Sequence, residues 1–252
     1  MKPVLEVKEL TKTFITEGKP DFMAVNHVSF QLHPGETLGI VGESGSGKST
    51  LAKAVSRLTE VSGGSIFLEE EDITQRKGKA LRECYQKLQM VFQNPVTSFD
   101  PRRTLGDGIG ESLRNSGVSK AETRKEVLSL LSQCGLAEEF YNRYPHEVSG
   151  GQCQRAAIAR ALAVKPRVVI CDEATSALDV TVQQQILELL KQLKEERNLS
   201  YLFICHNLAL VQMFCDRVLV MKDGKIVEEG TPDEVILHPK DEYTKLLVES
   251  VL

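Results

Sequence analysis

Three features are missing from this 252-residue sequence, and each absence removes a class of function. There is no basic excess: 31 lysines and arginines face 35 acidic residues, for a formal net charge of -4. A protein that lives on nucleic-acid phosphates usually carries such an excess, so nucleic acid is not expected as a partner. There is no run approaching the roughly 20 apolar residues that span a bilayer. The opening Met1–Leu10 carries Lys2, Glu6, Lys8 and Glu9 and lacks the apolar core of a signal peptide. The expectation is a chain that stays in the cytosol unless a partner holds it at a membrane. The six cysteines (84, 134, 153, 171, 205 and 215) never fall in a C-x-x-C spacing, so neither a zinc site nor a redox pair is suggested. Cys171 and Cys205 sit in apolar runs and read as small buried hydrophobes in a reducing compartment. No internal repeat, low-complexity segment or heptad run is evident.

What is present is an ordinary globular mixture, 41% hydrophobic and 26% charged. Short strands are expected at 28–32, 36–41, 65–68 and 88–92, with a helix over 49–57. From Thr104 to about Ala163 the pattern is helical, and Ser119-Lys-Ala-Glu122 has the form of a capping box. Strands resume at 167–171 and 201–205. Between them Val182, Ile186, Leu189, Leu190 and Leu193 recur at helical spacing. A hairpin turns at Asp223-Gly224, and Thr231-Pro232 opens a last helical region. Strands alternating with helices imply an α/β fold with a mostly parallel sheet covered on both faces.

Gly42-Glu43-Ser44-Gly45-Ser46-Gly47-Lys48-Ser49 matches G-x-x-x-x-G-K-[ST] between an expected strand and an expected helix. The glycines let backbone N–H groups converge on phosphate oxygens, and the helix N-terminus adds partial positive charge. Lys48 is placed to reach the β- and γ-phosphates, and Ser49 to ligate Mg²⁺. Downstream, Arg167 to Cys171 is an apolar-rich strand that ends in Asp172 and Glu173. Asp172 can hold Mg²⁺ through water, and Glu173 can accept a proton from an attacking water. Alone, that pair is equally a solvated acidic turn; the phosphate loop earlier in the chain favours the catalytic reading.

Val148-Ser149-Gly150-Gly151-Gln152 then makes the pattern specific. It resembles the signature motif of ATP-binding cassette (ABC) ATPases, with Val148 where leucine is usual. Gln93 resembles the family's glutamine-loop residue. Ser176-Ala-Leu-Asp179 resembles the loop after the acidic pair, and His206 the switch histidine. Phe14 stands where the family has an adenine-stacking aromatic. Cys153, Cys205 and Asn207 are further departures, none at a phosphate or metal ligand.

The resemblance implies a P-loop NTPase (RecA-like) core over 1–93 and 164–230. It also implies an N-terminal antiparallel portion, a helical signature subdomain over 94–163 and a C-terminal helical tail over 231–252. It implies ATP and Mg²⁺ as cofactors, with nucleotide contacts extending through Glu43, Ser44, Gly45, Ser46 and Thr50. Gln93 would join Ser49 and Asp172 at the metal. Two ATPases would close head to tail on ATP, with Ser149, Gly150 and Gly151 facing the γ-phosphate across the dimer and Gln152 and Asp179 as further nucleotide-binding residues.

The run Phe92-Gln-Asn-Pro-Val-Thr-Ser-Phe-Asp-Pro101-Arg102 and the tail His238-Pro-Lys-Asp-Glu-Tyr243 are similar to the peptide and nickel branch of ABC importers. That branch implies two integral-membrane permease subunits, a second ATPase (a heterodimer, with a homodimer as the alternative), and an extracytoplasmic solute-binding protein. The chain would then work at the cytoplasmic face of the inner membrane. The solute stays open between peptide, nickel and a metal chelate. A soluble ABC ATPase acting on DNA or ribosomes is the alternative class. It fits less well, because that class tends to carry coiled-coil arms or two cassettes.

Overall fold

The computed structural model describes residues 2–15, 18, 20–176 and 178–250. Ala177 and the last two residues of the expected tail lie outside the described residues. The chain begins with β1 (Leu5–Phe14) and β2 (Phe22–Leu32), an antiparallel pair. β3 (Thr37–Val41), α1 (Lys48–Val55), β4 (Gly63–Leu68), the short β5 (Glu71–Asp72), α2 (Gly78–Lys87) and β6 (Leu88–Val91) follow. A helical stretch comes next: α3 (Leu105–Asn115), α4 (Lys120–Gln133) and α5 (Gly150–Leu162), with short 3₁₀ turns at Glu138–Asn142 and Pro145–Glu147. The remainder is β7 (Val168–Asp172), α6 (Val180–Arg197), β8 (Ser200–Ile204), α7 (Leu208–Phe214), β9 (Arg217–Lys222), β10 (Lys225–Gly230), α8 (Pro232–Leu237) and α9 (Glu242–Glu249).

The strands form two sheets. One is antiparallel, in the order β2-β1-β4-β5; the other runs β10-β9-β3-β8-β7-β6 and is parallel except for β10. Successive side chains of a strand point to opposite faces, and the parallel strands obey this throughout. Leu38, Ile40, Val168, Ile170, Leu202, Ile204, Leu219 and Met221 enter one core with α1 and the antiparallel sheet. Val169, Cys171, Tyr201, Phe203, Val218 and Val220 enter the other core, with α5, α6 and α7. Helix α1 is therefore clamped between two sheets. That explains why an eight-residue helix, marginal in isolation, holds a fixed position.

Local sequence sets the helix boundaries. Ser119 and Glu122 exchange side-chain and backbone hydrogen bonds in the expected capping box. Ser149 with Gln152 and Thr231 with Glu234 do the same. Helix α6 ends on Asn198 in the left-handed conformation. Two features differ from the sequence-based expectation. The stretch from 104 to 163 is broken by 3₁₀ turns after Leu136, and α2 forms where no periodicity announced it. Its inward face is short, with Cys84 its buried residue. Among the described residues no helix is long and apolar enough to cross a membrane.

Candidate nucleotide site

Four neighbouring parallel strands end at one edge of the larger sheet, and the residues after them gather there. β3 ends at Val41 and delivers Gly42; β7 ends at Asp172 and delivers Glu173. β8 ends at Ile204 just before Cys205 and His206, and β6 ends two residues before Gln93. Sites at the carboxyl ends of strands are the general rule for open α/β sheets. Topology thus brings together residues more than 150 positions apart.

The loop from Gly42 to Ser49 curls because two positions accept a conformation that side chains disfavour. Gly42 has φ 150° and Gly47 φ 105°. A Cβ on Gly47 would collide with the Ala24 carbonyl oxygen, and one on Gly42 with that of Met221. The buried Lys48 folds back across the loop, its Nζ donating to the Gly42 and Glu43 carbonyl oxygens at 2.7 Å each and to Ser46 Oγ at 3.3 Å. Burial pushes the Lys48 ammonium below its ordinary range, while the Glu173 and Asp172 carboxylates pull it back up. Ser44 and Gly45 are exposed at the loop's outer turn, and Thr50 lies half-buried on α1.

Ser49 Oγ donates to Asp172 Oδ1 at 2.9 Å. Burial raises the Asp172 carboxyl above its usual range, against the Ser49 hydrogen bond that lowers it. Above the unfolded value of an aspartate, the folded chain therefore binds more protons at this site. Stability contributed there is lost as pH rises through the folded value. Asp172→Asn removes the buried charge and keeps an oxygen for Ser49. It is expected to raise the thermal midpoint of the nucleotide-free chain at neutral pH, with a gain that shrinks at acidic pH. A lower midpoint at neutral pH would mean that the ionised carboxylate is a net stabiliser.

Glu173 follows in left-handed backbone, φ 48°, its N–H donating to the Ile204 carbonyl at 3.0 Å. A non-glycine residue in this region is under strain, which the end of β8 sustains. Gln93 Nε2 donates to Glu173 Oε2 at 2.8 Å and lies 3.4 Å from Ser176 Oγ. His206 Nδ1 stands 3.9 Å from the same Glu173 oxygen; its side chain is 57% exposed and that of Glu173 18%. Asn207 caps α7 by accepting from the Ala209 and Leu210 amides, which fixes the turn that carries His206. The Asn207 departure thus has a structural use. Cys153 is fully buried, and Val148 packs against the same core.

The signature residues lie at the N-terminus of α5. Ser149 is exposed there and accepts the Gln152 N–H at 3.2 Å, while Gln152 Oε1 accepts the Ser149 N–H at 2.9 Å. Gly151 sits against Val182 of α6, where a Cβ would be 2.7 Å from a Val182 methyl. Among the described residues, no loop residue from 42 to 49 shares a hydrogen bond with Ser149. Asp179 caps α6, accepting the Val182 N–H at 3.0 Å. Phe14 ends β1 opposite Phe22, 42% exposed, with Lys12 Nζ 5.0 Å from its ring centroid.

Sequence reasoning missed the parts that brace the loop. The Gly224 N–H donates to the Ser46 carbonyl at 2.9 Å, and Tyr243 Oη accepts the Glu43 N–H at 2.8 Å. A turn at Asp223-Gly224 was legible; that it supports the loop was not.

A strand–glycine loop–helix unit beside an acid-tipped strand defines a P-loop nucleoside triphosphatase. The comparisons narrow the class. The family model described as "ABC transporter" matches residues 25–176. The chain is 45% identical to the dipeptide transport ATP-binding protein DppF of Lactococcus lactis, over 99% of this chain and 81% of that protein. It is likewise 45% identical to the oligopeptide transport ATP-binding protein OppF of Salmonella typhimurium, over 99% of this chain and 78% of that one. Among solved structures, a dimeric ATP-binding cassette in a post-hydrolysis state with ADP and Pi superposes with a TM-score of 0.83. It is 31% identical, with 90% of this chain and 98% of that one covered. CbiO1 of Clostridium perfringens, part of an ABC transporter complex, gives 0.82 at 28% identity, covering 94% and 92%. The chain belongs to the ABC transporter family. It is an ATP-binding and ATP-hydrolysing subunit of a transporter.

Proposed function

We propose that the chain powers the uptake of peptides, as one of two ATPases that close head to tail on ATP beneath a pair of permease subunits. The observation that carries the cargo is the near-full-length similarity to two proteins named for dipeptide and oligopeptide transport. Nickel and metal chelates are the neighbouring readings of the same branch. In this proposal the chain works at the cytoplasmic face of the inner membrane, and an extracytoplasmic binding protein delivers the solute.

Each site residue then has a task. The loop amides from Ser44 to Thr50 and the N-terminus of α1 hold the phosphates, and Phe14 stacks on the adenine. Lys48 leaves its carbonyl oxygens for the β- and γ-phosphates. Ser149 and the Gly150 and Gly151 amides, held by Gln152, meet the γ-phosphate of the partner's ATP. Asp179 acts across the dimer through the α6 terminus that it caps. Glu173 takes the proton of the attacking water, His206 holds that water and the γ-phosphate, and Gln93 reports their state to the helical region (94–163).

The residues also fit Mg²⁺. Ser49 and Asp172 offer adjacent oxygens, and Gln93 has an amide oxygen to spare. Among the described residues no cluster of three or more His, Cys, Asp or Glu forms a dedicated metal cage. Mg²⁺ is commonly held by one or two carboxylates with the remaining ligands from phosphate and water. When bound, it neutralises charge on the β- and γ-phosphate oxygens.

In this proposal the permease docks in the groove that runs from the core, at Phe92, to the helical region, at Arg160. It has a volume of about 340 Å³ and is lined by Leu58, Tyr85, Met90, Phe92 and Arg160. Leu58 is exposed there. A groove with apolar walls suits the apolar face of an amphipathic helix.

Affinity purification of the tagged chain from solubilised native membranes tests the assembly. Two multi-span proteins and a second, different ATPase are expected to co-purify. Recovery without any membrane protein, while a known transporter stays intact, would favour a soluble ABC function. Deleting the chain is expected to abolish uptake of labelled di- to pentapeptides. Loss of nickel uptake alone would move the assignment to the metal branch.

A further inference from the structure

We propose that Tyr243, on the C-terminal helix α9, is a positioning residue for the phosphate loop. Its phenol clamps the Gly42–Glu43 peptide in the orientation that nucleotide binding requires.

That peptide unit is held at both of its polar atoms. Its carbonyl oxygen, on Gly42, accepts Lys48 Nζ at 2.7 Å. Its N–H, on Glu43, donates to Tyr243 Oη at 2.8 Å. In the nucleotide-free chain both ends of this peptide plane are held; once Lys48 turns to the phosphates the phenol is the hold that remains, next to a glycine whose φ of 150° a side chain would disfavour. Without the phenol, the Glu43 N–H is left seeking a partner, and the carbonyl opposite it carries Lys48 along when it turns.

Tyr243 is well fixed for this task. It is buried, and Lys222 Nζ lies 4.8 Å from its ring centroid. Its own N–H donates to Asp241, the cap of α9, at 2.8 Å. The Glu228 carboxylate on β10 accepts the Lys240 and Asp241 amides at 2.9 and 3.0 Å. The hairpin before β10 grips the loop a second time through Gly224 and Ser46. The unit from β9 to α9 is thus one rigid bracket touching the loop at two points. Burial raises the Tyr243 phenol above its usual range, so the clamp stays neutral at every physiological pH.

Tyr243→Phe keeps the ring and removes the oxygen. The full-length chain carrying it is expected to show an ATP Kd, by calorimetry in EDTA where hydrolysis does not proceed, raised about 3- to 10-fold, the scale of one hydrogen bond. KM for ATP should rise in parallel, with kcat within about 2-fold because no reacting group is touched. Hydrogen exchange at the Glu43 amide should accelerate. Leu131→Ala is the control: buried in α4, away from the bracket, it should lower the thermal midpoint while leaving Kd unchanged. Wild-type Kd in Tyr243→Phe overturns the proposal. So does an equal Kd increase in both variants, which would reduce the Tyr243 effect to one of general stability.

Discussion

Glu173→Gln is expected to bind ATP as the wild type does and to hydrolyse it on the order of 100-fold more slowly or worse, the range a general base contributes. The geometry makes this substitution unusually clean. The glutamine amide has the same shape as the carboxylate, and its oxygen can still accept from Gln93 Nε2, now at 2.8 Å from Glu173. The left-handed backbone at this position is held by the Ile204 carbonyl and does not depend on the side-chain charge. What changes is the capacity to take a proton. The competing base is His206, whose Nδ1 lies 3.9 Å from the same carboxylate oxygen. If His206 took the proton, Glu173→Gln would keep most of its turnover and His206→Ala would lose it. Single-turnover conversion of ATP to ADP, with the chain in excess over ATP and the reaction quenched in acid, separates the cases, because it counts cleaved nucleotide whether or not product has left or the dimer has reopened. A second consequence follows: the slow variant should accumulate as an ATP-bound dimer on gel filtration. Full turnover with no such dimer would remove Glu173 from the chemistry.

The site was legible in the sequence where chemistry demands adjacent residues, and illegible where the fold supplies the partner. Gly42 to Ser49 could be read because a phosphate cradle needs glycine at fixed intervals and a helix start behind it. The Asp172–Glu173 pair could be read only beside that loop, since a buried strand with a charged tip is by itself equally a solvated turn. Ser149 and Gln152 could be read as a cap from local spacing alone, and the cap is there. By contrast, the Ser49–Asp172 hydrogen bond spans 123 positions and the Glu43–Tyr243 bond 200. No periodicity encodes such pairings; they follow from the order in which parallel strands line up. The same reasoning applies to the fold. The strands expected at 167–171 and 201–205 announced themselves through their apolar cores, 168–171 and 201–204, because burial on both faces favours unbroken apolar runs. Helix α2 did not, since its inward face is too short to register as a period of 3.6.

Ser149→Arg is expected to abolish ATP-driven dimerisation while leaving ATP binding to the separate chain nearly intact. Ser149 is exposed at the first turn of α5 and shares no hydrogen bond with the chain's own phosphate loop among the described residues. On the proposed reading the isolated chain binds nucleotide through Gly42 to Thr50, without position 149. In the sandwich, Ser149 and the amides behind it must approach a γ-phosphate closely, with no space for a longer side chain. Arginine also forfeits the cap, since it cannot accept the Gln152 N–H. That loss should cost about 1 kcal/mol of helix stability and lower the thermal midpoint slightly. Ser149→Ala separates the two effects: it forfeits the same cap but leaves the surface clear, so it should dimerise more weakly yet detectably. Nucleotide titration by fluorescence, paired with light scattering in the slow Glu173→Gln background, reads affinity and assembly independently. Arginine at 149 with normal dimerisation would exclude the head-to-tail arrangement. Loss of dimerisation together with loss of monomer affinity would instead mean that α5 supports the chain's own loop, and the signature would belong to one subunit rather than to two.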